Sequence, residues 1–161
     1  MHTSPPERVL AIDPALRKTG FAIVESAGSQ FRALAYGTVV NPPKLLPSGC
    51  RVAIREQLTE VILRHQPTVC AIESTIFVQS LKTAILLGTA RGAALLAAEE
   101  HGLASYEYAP REVNKAAVER RAAGQRPAVR SRDRINARLG KRRIEKCVDR
   151  VAVRLGRLRN L

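Results

Sequence analysis

A chain of 161 residues is long enough for one domain with a buried core and short for two, and its 45% apolar share is that of a folded protein. Its 27 Lys and Arg against 14 Asp and Glu leave a net charge of +13, which points to a polyanionic partner, either nucleic acid or an anionic membrane. No stretch approaches about 18 uninterrupted apolar residues and "MHTSPPERV" has no apolar leader segment, so nucleic acid is expected and a membrane is not.

The first element is "RVLAID", residues 8–13, whose Val9, Leu10 and Ile12 suit a buried strand. "GFAIVES" and "FRALAYGTVV" follow as two more strands joined through the turn-forming "AGSQ", so an antiparallel meander is expected. "NPPKLLPSG" reads as a loop, having three prolines and a glycine in nine residues. From Arg51 to His65 the period changes, and Ile54, Leu58, Val61 and Ile62 fall on one helical face. "TVCAIE" is a fourth, central strand ending at Glu73. "LKTAILLGTARGAALLAAEEHG" is a long helix, expected to be largely buried and to stop near Gly102. "SYEYA" is a fifth strand, and Pro110 opens a helix in "PREVNKAAVERRAA". A last helical stripe, Val148, Val151, Ala152, Leu155 and Leu158, lies near the C-terminus. The order is βββαβαβα, a mixed five-stranded α/β sheet flanked by helices on both faces, in a single domain spanning residues 1–161. Cys50, Cys70 and Cys147 are odd in number and suit neither a disulfide framework nor a zinc site; reduced thiols of a cytoplasmic protein are expected.

Two of these strands end in acids, at Asp13 and at Glu73. Asp is depleted in strands, and a buried unpaired carboxylate is costly. If the two strands are parallel neighbours, their acids meet at the carboxyl edge of the sheet, where open α/β sheets bind ligands. Two adjacent carboxylates need a proton or a cation between them, and in a basic protein Mg²⁺ on carboxylate oxygens is the economical answer. The competing reading makes Asp13 a cap for the "PAL" turn and pairs Glu73 with an arginine. A third acid is available on the last helix, where Glu145 and Asp149 lie one turn apart on the same face, although Lys146 could pair with Asp149.

The segments "RVLAIDPALRKTGFAIVE", "VCAIESTIF", "AILLGTARGAALLAAEEHGL" and "YEYAPREVNKAAV" resemble, in that order, the RuvC-type crossover junction endodeoxyribonucleases of the ribonuclease H-like superfamily. The likeness runs over about residues 8–118. It implies a homodimeric, Mg²⁺-dependent nuclease with two ions per active site, Mn²⁺ able to substitute, that cuts two strands of like polarity at a four-way Holliday junction. It also implies work in recombination and repair beside a branch-migration motor. Carried over by position, Asp13 and Glu73 match the family's first two metal-binding acids. Asp149 matches the final one, and Glu145 is the alternative occupant of the place where Lys146 stands.

The chain departs from the pattern in three places. Ala15 replaces the turn glycine of the family's "DPG". Phe77, in "STIFVQS", is displaced by one position from the family's aromatic; it is either a base-stacking wedge or a core side chain. Residues 119–161 hold 13 Arg and 2 Lys of the 27 basic residues and no aromatic. That bias is what a GC-rich gene read in a shifted frame produces, and also what a tail gripping phosphate needs. Arg17, Lys18 and Arg111 are the candidate phosphate-binding cations. If the acid on the last helix is missing, the alternative is a non-catalytic junction- or DNA-binding protein.

Overall fold

The computed structural model describes residues 6–27, 30–74, 80–109 and 133–135. In chain order they form β1 (Glu7–Asp13), β2 (Lys18–Ala27), β3 (Gln30–Val40), α1 (Pro47–His65), β4 (Val69–Glu73), α2 (Leu81–Glu99), β5 (Ala104–Tyr108) and β6 (Asp133–Ile135). The strands lie in one mixed sheet in the order β5-β4-β1-β2-β3-β6. The expected meander is present, since β1–β2 and β2–β3 are antiparallel. The expected parallel neighbours are present too: β4 lies between β1 and β5 and runs parallel to both. Beyond the five expected strands, the three-residue β6 adds itself parallel to β3, from within the basic segment 119–161. The helices expected over 110–123 and around 145–158 lie outside the described residues.

Strand alternation explains the core. Leu10 and Ile12 of β1, Phe21 and Ile23 of β2, and Cys70 and Ile72 of β4 point to one face. There they pack with Ile54, Leu58, Val61 and Ile62 of α1 and with Ala90, Ala94, Ala97 and Ala98 of α2. Both described helices therefore cover the same face, not one face each. The opposite face is equally inaccessible at its centre, where Val9, Ala11, Ala22, Val24 and Ala71 are all fully buried. This accounts for the nearly continuous apolar reading of β1, β2 and β4: a strand covered on both sides cannot alternate.

Two element ends differ from the sequence expectation for identifiable reasons. α1 begins at Pro47, inside the stretch expected to be a loop, because a proline at the first helical position gives up an N–H that would be unpaired anyway. α2 stops three residues before Gly102, in a Schellman arrangement: Leu103 N donates to Ala98 O (3.0 Å) and Gly102 N to Glu99 O (3.0 Å). Gly102 takes the positive φ of 71° that this ending requires, and Leu103 folds back into the core.

The burial of α2 is the clearest correction. Only its four alanines at 90, 94, 97 and 98 are buried, and small side chains on that stripe let the helix lie close to α1 and the sheet. Its outer stripe, Leu81, Ile85, Gly88, Gly92 and Leu96, faces outward, with Leu81 79% and Ile85 57% exposed. A Cβ added at Gly88 or Gly92 would meet nothing within 4 Å. Charged pairs tie the layers at their rims: Arg55 to Glu100 through two hydrogen bonds (2.9 and 3.1 Å), and Arg91 of α2 to Glu107 of β5. Arg8 bridges Glu25 across β1–β2 (3.0 Å) and donates to His65 O (3.0 Å), placing a cation at the C-terminus of α1.

Cys50 and Cys70 are free thiols, as expected, and both are buried. Burial pushes the Cys70 thiol up to about 12, and since the thiolate is the reactive form this cysteine is inert in the native fold. At mildly alkaline pH, iodoacetamide should leave the Cys70 peptide unmodified in native protein and alkylate it fully after unfolding, as read by mass spectrometry. Labelling of native Cys70 would contradict the packing described for β4.

Candidate active site at the carboxyl edge of the sheet

The β1–β4 register runs Leu10↔Cys70, Ala11↔Ala71, Ile12↔Ile72. One residue further, both strands end, in Asp13 and in Glu73. Parallel neighbours lie about 4.8 Å apart and paired residues share a face, so the two carboxylates stand side by side on the face opposite Ile12 and Ile72. Pro14 follows Asp13 and cannot extend the ladder, which ends β1 at the acid. Glu73 is held at its edge by the β5 pairing and by Ser74 N, which donates to Tyr108 O (3.0 Å).

The register continues across the sheet as a single row. Glu73 pairs with Tyr108, Asp13 with Gly20, and Gly20 with Thr38. Gly20 brings no side chain beside Asp13. Tyr108 (3% exposed) and Thr38 (5%) enclose the row at its two ends. Asp13 and Glu73 themselves are half-buried, reachable by a ligand yet partly withdrawn from water. Lys18, two residues before Gly20 on β2, shares this face by strand parity and is exposed. Sequence reasoning missed Tyr108 and Thr38, whose approach to the acids depends on registers between strands far apart in the chain.

Arg17, expected as a phosphate-binding cation, has its Nη1 turned into the protein. That nitrogen donates to Pro42 O (2.7 Å) and Leu45 O (2.8 Å) and lies 3.3 Å from Cys50 Sγ. It clamps the loop before α1. Ala15, the departure from the family's glycine, is accommodated without strain: among the described residues only Gln66 combines a side chain with a positive φ. Phe77, Arg111, Glu145 and Asp149 lie outside the described residues. Among the described residues no group of three or more His, Cys, Asp or Glu is placed to hold a metal ion, and what the edge brings together is the pair Asp13 and Glu73. Hard oxygen donors at adjacent register positions fit a hydrated divalent cation such as Mg²⁺, which is held through one or two carboxylates and keeps part of its water shell.

The chain is similar to known proteins over most of its length. The family model of the crossover junction endodeoxyribonuclease RuvC matches residues 9–139. The RuvC of Akkermansia muciniphila is 46% identical over 116 residues, 72% of this chain and 70% of that protein. The RuvC of Bordetella avium is 41% identical over 111 residues, 69% of this chain, and the match spans 61% of that protein's length. Among solved structures, Thermus thermophilus RuvC in complex with a Holliday junction substrate superposes with a TM-score of 0.79 at 24% identity, covering 95% of each chain. The yeast mitochondrial Holliday junction resolvase Ydc2 superposes at 0.62 with 10% identity, covering 94% of this chain and 77% of its own. A two-acid sheet edge, a ribonuclease H-like strand order and a family match over residues 9–139 lead to one conclusion: the chain belongs to the RuvC family of crossover junction endodeoxyribonucleases.

Proposed function

We propose that this protein is a metal-dependent endonuclease that resolves four-way DNA junctions by hydrolysing phosphodiester bonds symmetrically, in recombination and repair. The observation that carries the reading is the placement of Asp13 and Glu73 at adjacent ends of the parallel strands β1 and β4. Two carboxylates brought side by side at the ends of apolar strands repel each other, and a cation between them offsets that repulsion. The alternative, a non-catalytic junction-binding protein, is not favoured, because the pair that such a protein could dispense with is present and in register.

In this reading Asp13 and Glu73 hold the divalent ion, Mg²⁺ with Mn²⁺ as a substitute, in a site that takes two ions. Asp149, with Glu145 as its neighbour, completes the acidic set. When bound, the ions lower the pKa of an attacking water and offset charge at the leaving 3′ oxygen. Asp13 would supply carboxylate oxygens from the end of β1 and Glu73 from the end of β4, and the wall formed by Tyr108 and Thr38 limits bulk water at the row's ends. Lys18, exposed on the same face, contacts a phosphate, with Arg111 as a second cation and Phe77 stacking on a base. The Arg-rich segment 119–161 belongs to the same domain and adds backbone grip independent of sequence.

A junction with two-fold symmetry asks for two sites, and a homodimer supplies them. The outer stripe of α2 is the surface we assign to the second copy, since it exposes Leu81, Ile85 and Leu96 around Gly88 and Gly92, where another helix can approach closely. Ile85→Arg should shift the protein from dimer to monomer in sedimentation at an unchanged melting temperature; a variant that remains dimeric would remove α2 from the interface. The branch-migration motor is a further partner, and the cytoplasm the working compartment. The function itself is tested by incubating the protein with a synthetic four-way junction and with a linear duplex of the same sequence, in Mg²⁺ and in chelator. Nicking of the junction in Mg²⁺ alone is expected. Binding without nicking would establish the alternative, and equal cutting of duplex or RNA would replace junction selectivity with general nuclease activity.

A further inference from the structure

The turn that follows Asp13 is four residues long, Pro14 to Arg17, and a short turn leaves its backbone polar groups in need of partners. Two buried residues supply them. Thr19, fully buried on β2, donates its hydroxyl to Ala15 O (2.8 Å) and accepts from Ala15 N (3.3 Å). Asn41, 4% exposed at the end of β3, donates through Nδ2 to Leu16 O (2.7 Å), while its backbone N donates to Arg17 O (2.9 Å). The carbonyls of three consecutive turn residues are thus each taken by Thr19 or Asn41. The second amide hydrogen of Asn41 reaches Cys50 O (3.2 Å), and the Arg17 clamp on Pro42 O and Leu45 O closes the frame against the first turn of α1. Leu16 plugs the turn into the core.

We infer that Thr19 and Asn41 are positioning residues for Asp13: a buried hydroxyl and a buried amide that fix the Pro14–Arg17 turn and so the aim of the carboxylate immediately before it. Neither residue is catalytic. By strand parity Thr19 lies on the Ile12 and Phe21 face, whereas Asp13 and Gly20 lie on the other, so the hydroxyl acts on the carboxylate only through the backbone. The acid stands at the last register position of β1, with no ladder beyond it to hold its direction. The turn does that instead. A site whose supports are lost can be present and still aim poorly, and displacements near an ångström are costly in rate.

The inference rests on the nuclease reading, and the variants separate the two. Thr19→Val keeps the shape and removes both hydrogen bonds; Thr19→Ser keeps both. Single-turnover cleavage at saturating junction should fall roughly 10- to 100-fold in Thr19→Val. Its half-maximal Mg²⁺ concentration should rise, with junction affinity in chelator unchanged, and Thr19→Ser should restore both readouts. Wild-type rate and Mg²⁺ dependence in Thr19→Val, or an equal loss in Thr19→Ser, would overturn the inference. If Thr19→Val does not melt cooperatively, Thr19→Ala is compared with Thr19→Ser by the same criteria, and failure of the serine variant to fold also overturns it. Wild-type protein that does not cut the junction would count against the nuclease reading instead.

Discussion

Asp13→Asn should lower junction cleavage by at least about a thousandfold, some 4 kcal/mol of transition-state stabilisation, and should leave the melting temperature unchanged. The substitution keeps the size of the side chain and removes its charge, so the geometry of the β1 end survives while the electrostatic reason for a cation to sit there does not. In metal-free buffer the sign reverses for binding. The acidic pair repels an approaching phosphate, and neutralising half of it should tighten junction affinity in a mobility-shift measurement. Glu73→Gln should behave alike, and the double variant should lose little more than either single one, because groups that hold one ion fail as a unit. Loss of binding together with cleavage would mean that the carboxylates serve the fold.

Phe21→Ala should have the opposite profile. Phe21 is 2% exposed, at the register position opposite Ile12, and packs in the cluster with Leu10, Ile23, Ile54 and Ile72. Its truncation removes a large buried ring from the centre of the sheet and should destabilise the protein by about 3–5 kcal/mol. Against a total stability of roughly 5–15 kcal/mol that is a large share. Urea unfolding should show a lowered midpoint with an unchanged slope, and cleavage should fall only where the folded fraction falls. The pair of variants thereby separates the chemistry that the proposed function assigns to Asp13 from the scaffold that delivers it. A Phe21→Ala protein of native stability would contradict the core assignment of β2.

What the sequence discloses depends on how local the cause is. β1 and β4 were readable with their last residues, because a short apolar run that ends in an acid is a local pattern, and the structure puts each acid one residue past the paired Ile12 and Ile72 of two parallel strands. The α1 stripe of Ile54, Leu58, Val61 and Ile62 was readable for the same reason. α2 was readable as a helix but its inward face was not, since an Ala- and Leu-rich run has no polar face to show which side is outward; Ala90, Ala94, Ala97 and Ala98 take the buried stripe while Leu81, Ile85 and Leu96 face out. Pro47 was ambiguous because proline both breaks a helix and begins one. Thr19 and Asn41 carried no local signal at all: their partners Ala15, Leu16 and Arg17 are brought to them by the β1–β2–β3 meander. Arg17 was read as a phosphate ligand from its charge and position, and only the fold turns its Nη1 toward the loop carbonyls.

The most direct test of the account is the mapping, strand by strand, of the cuts that the protein makes in an end-labelled synthetic four-way junction in Mg²⁺, with Asp13→Asn beside it. The account predicts paired nicks at symmetric positions on two strands of like polarity, and none from the variant. Unpaired cuts scattered over all four strands, or the same cuts from Asp13→Asn, would contradict it.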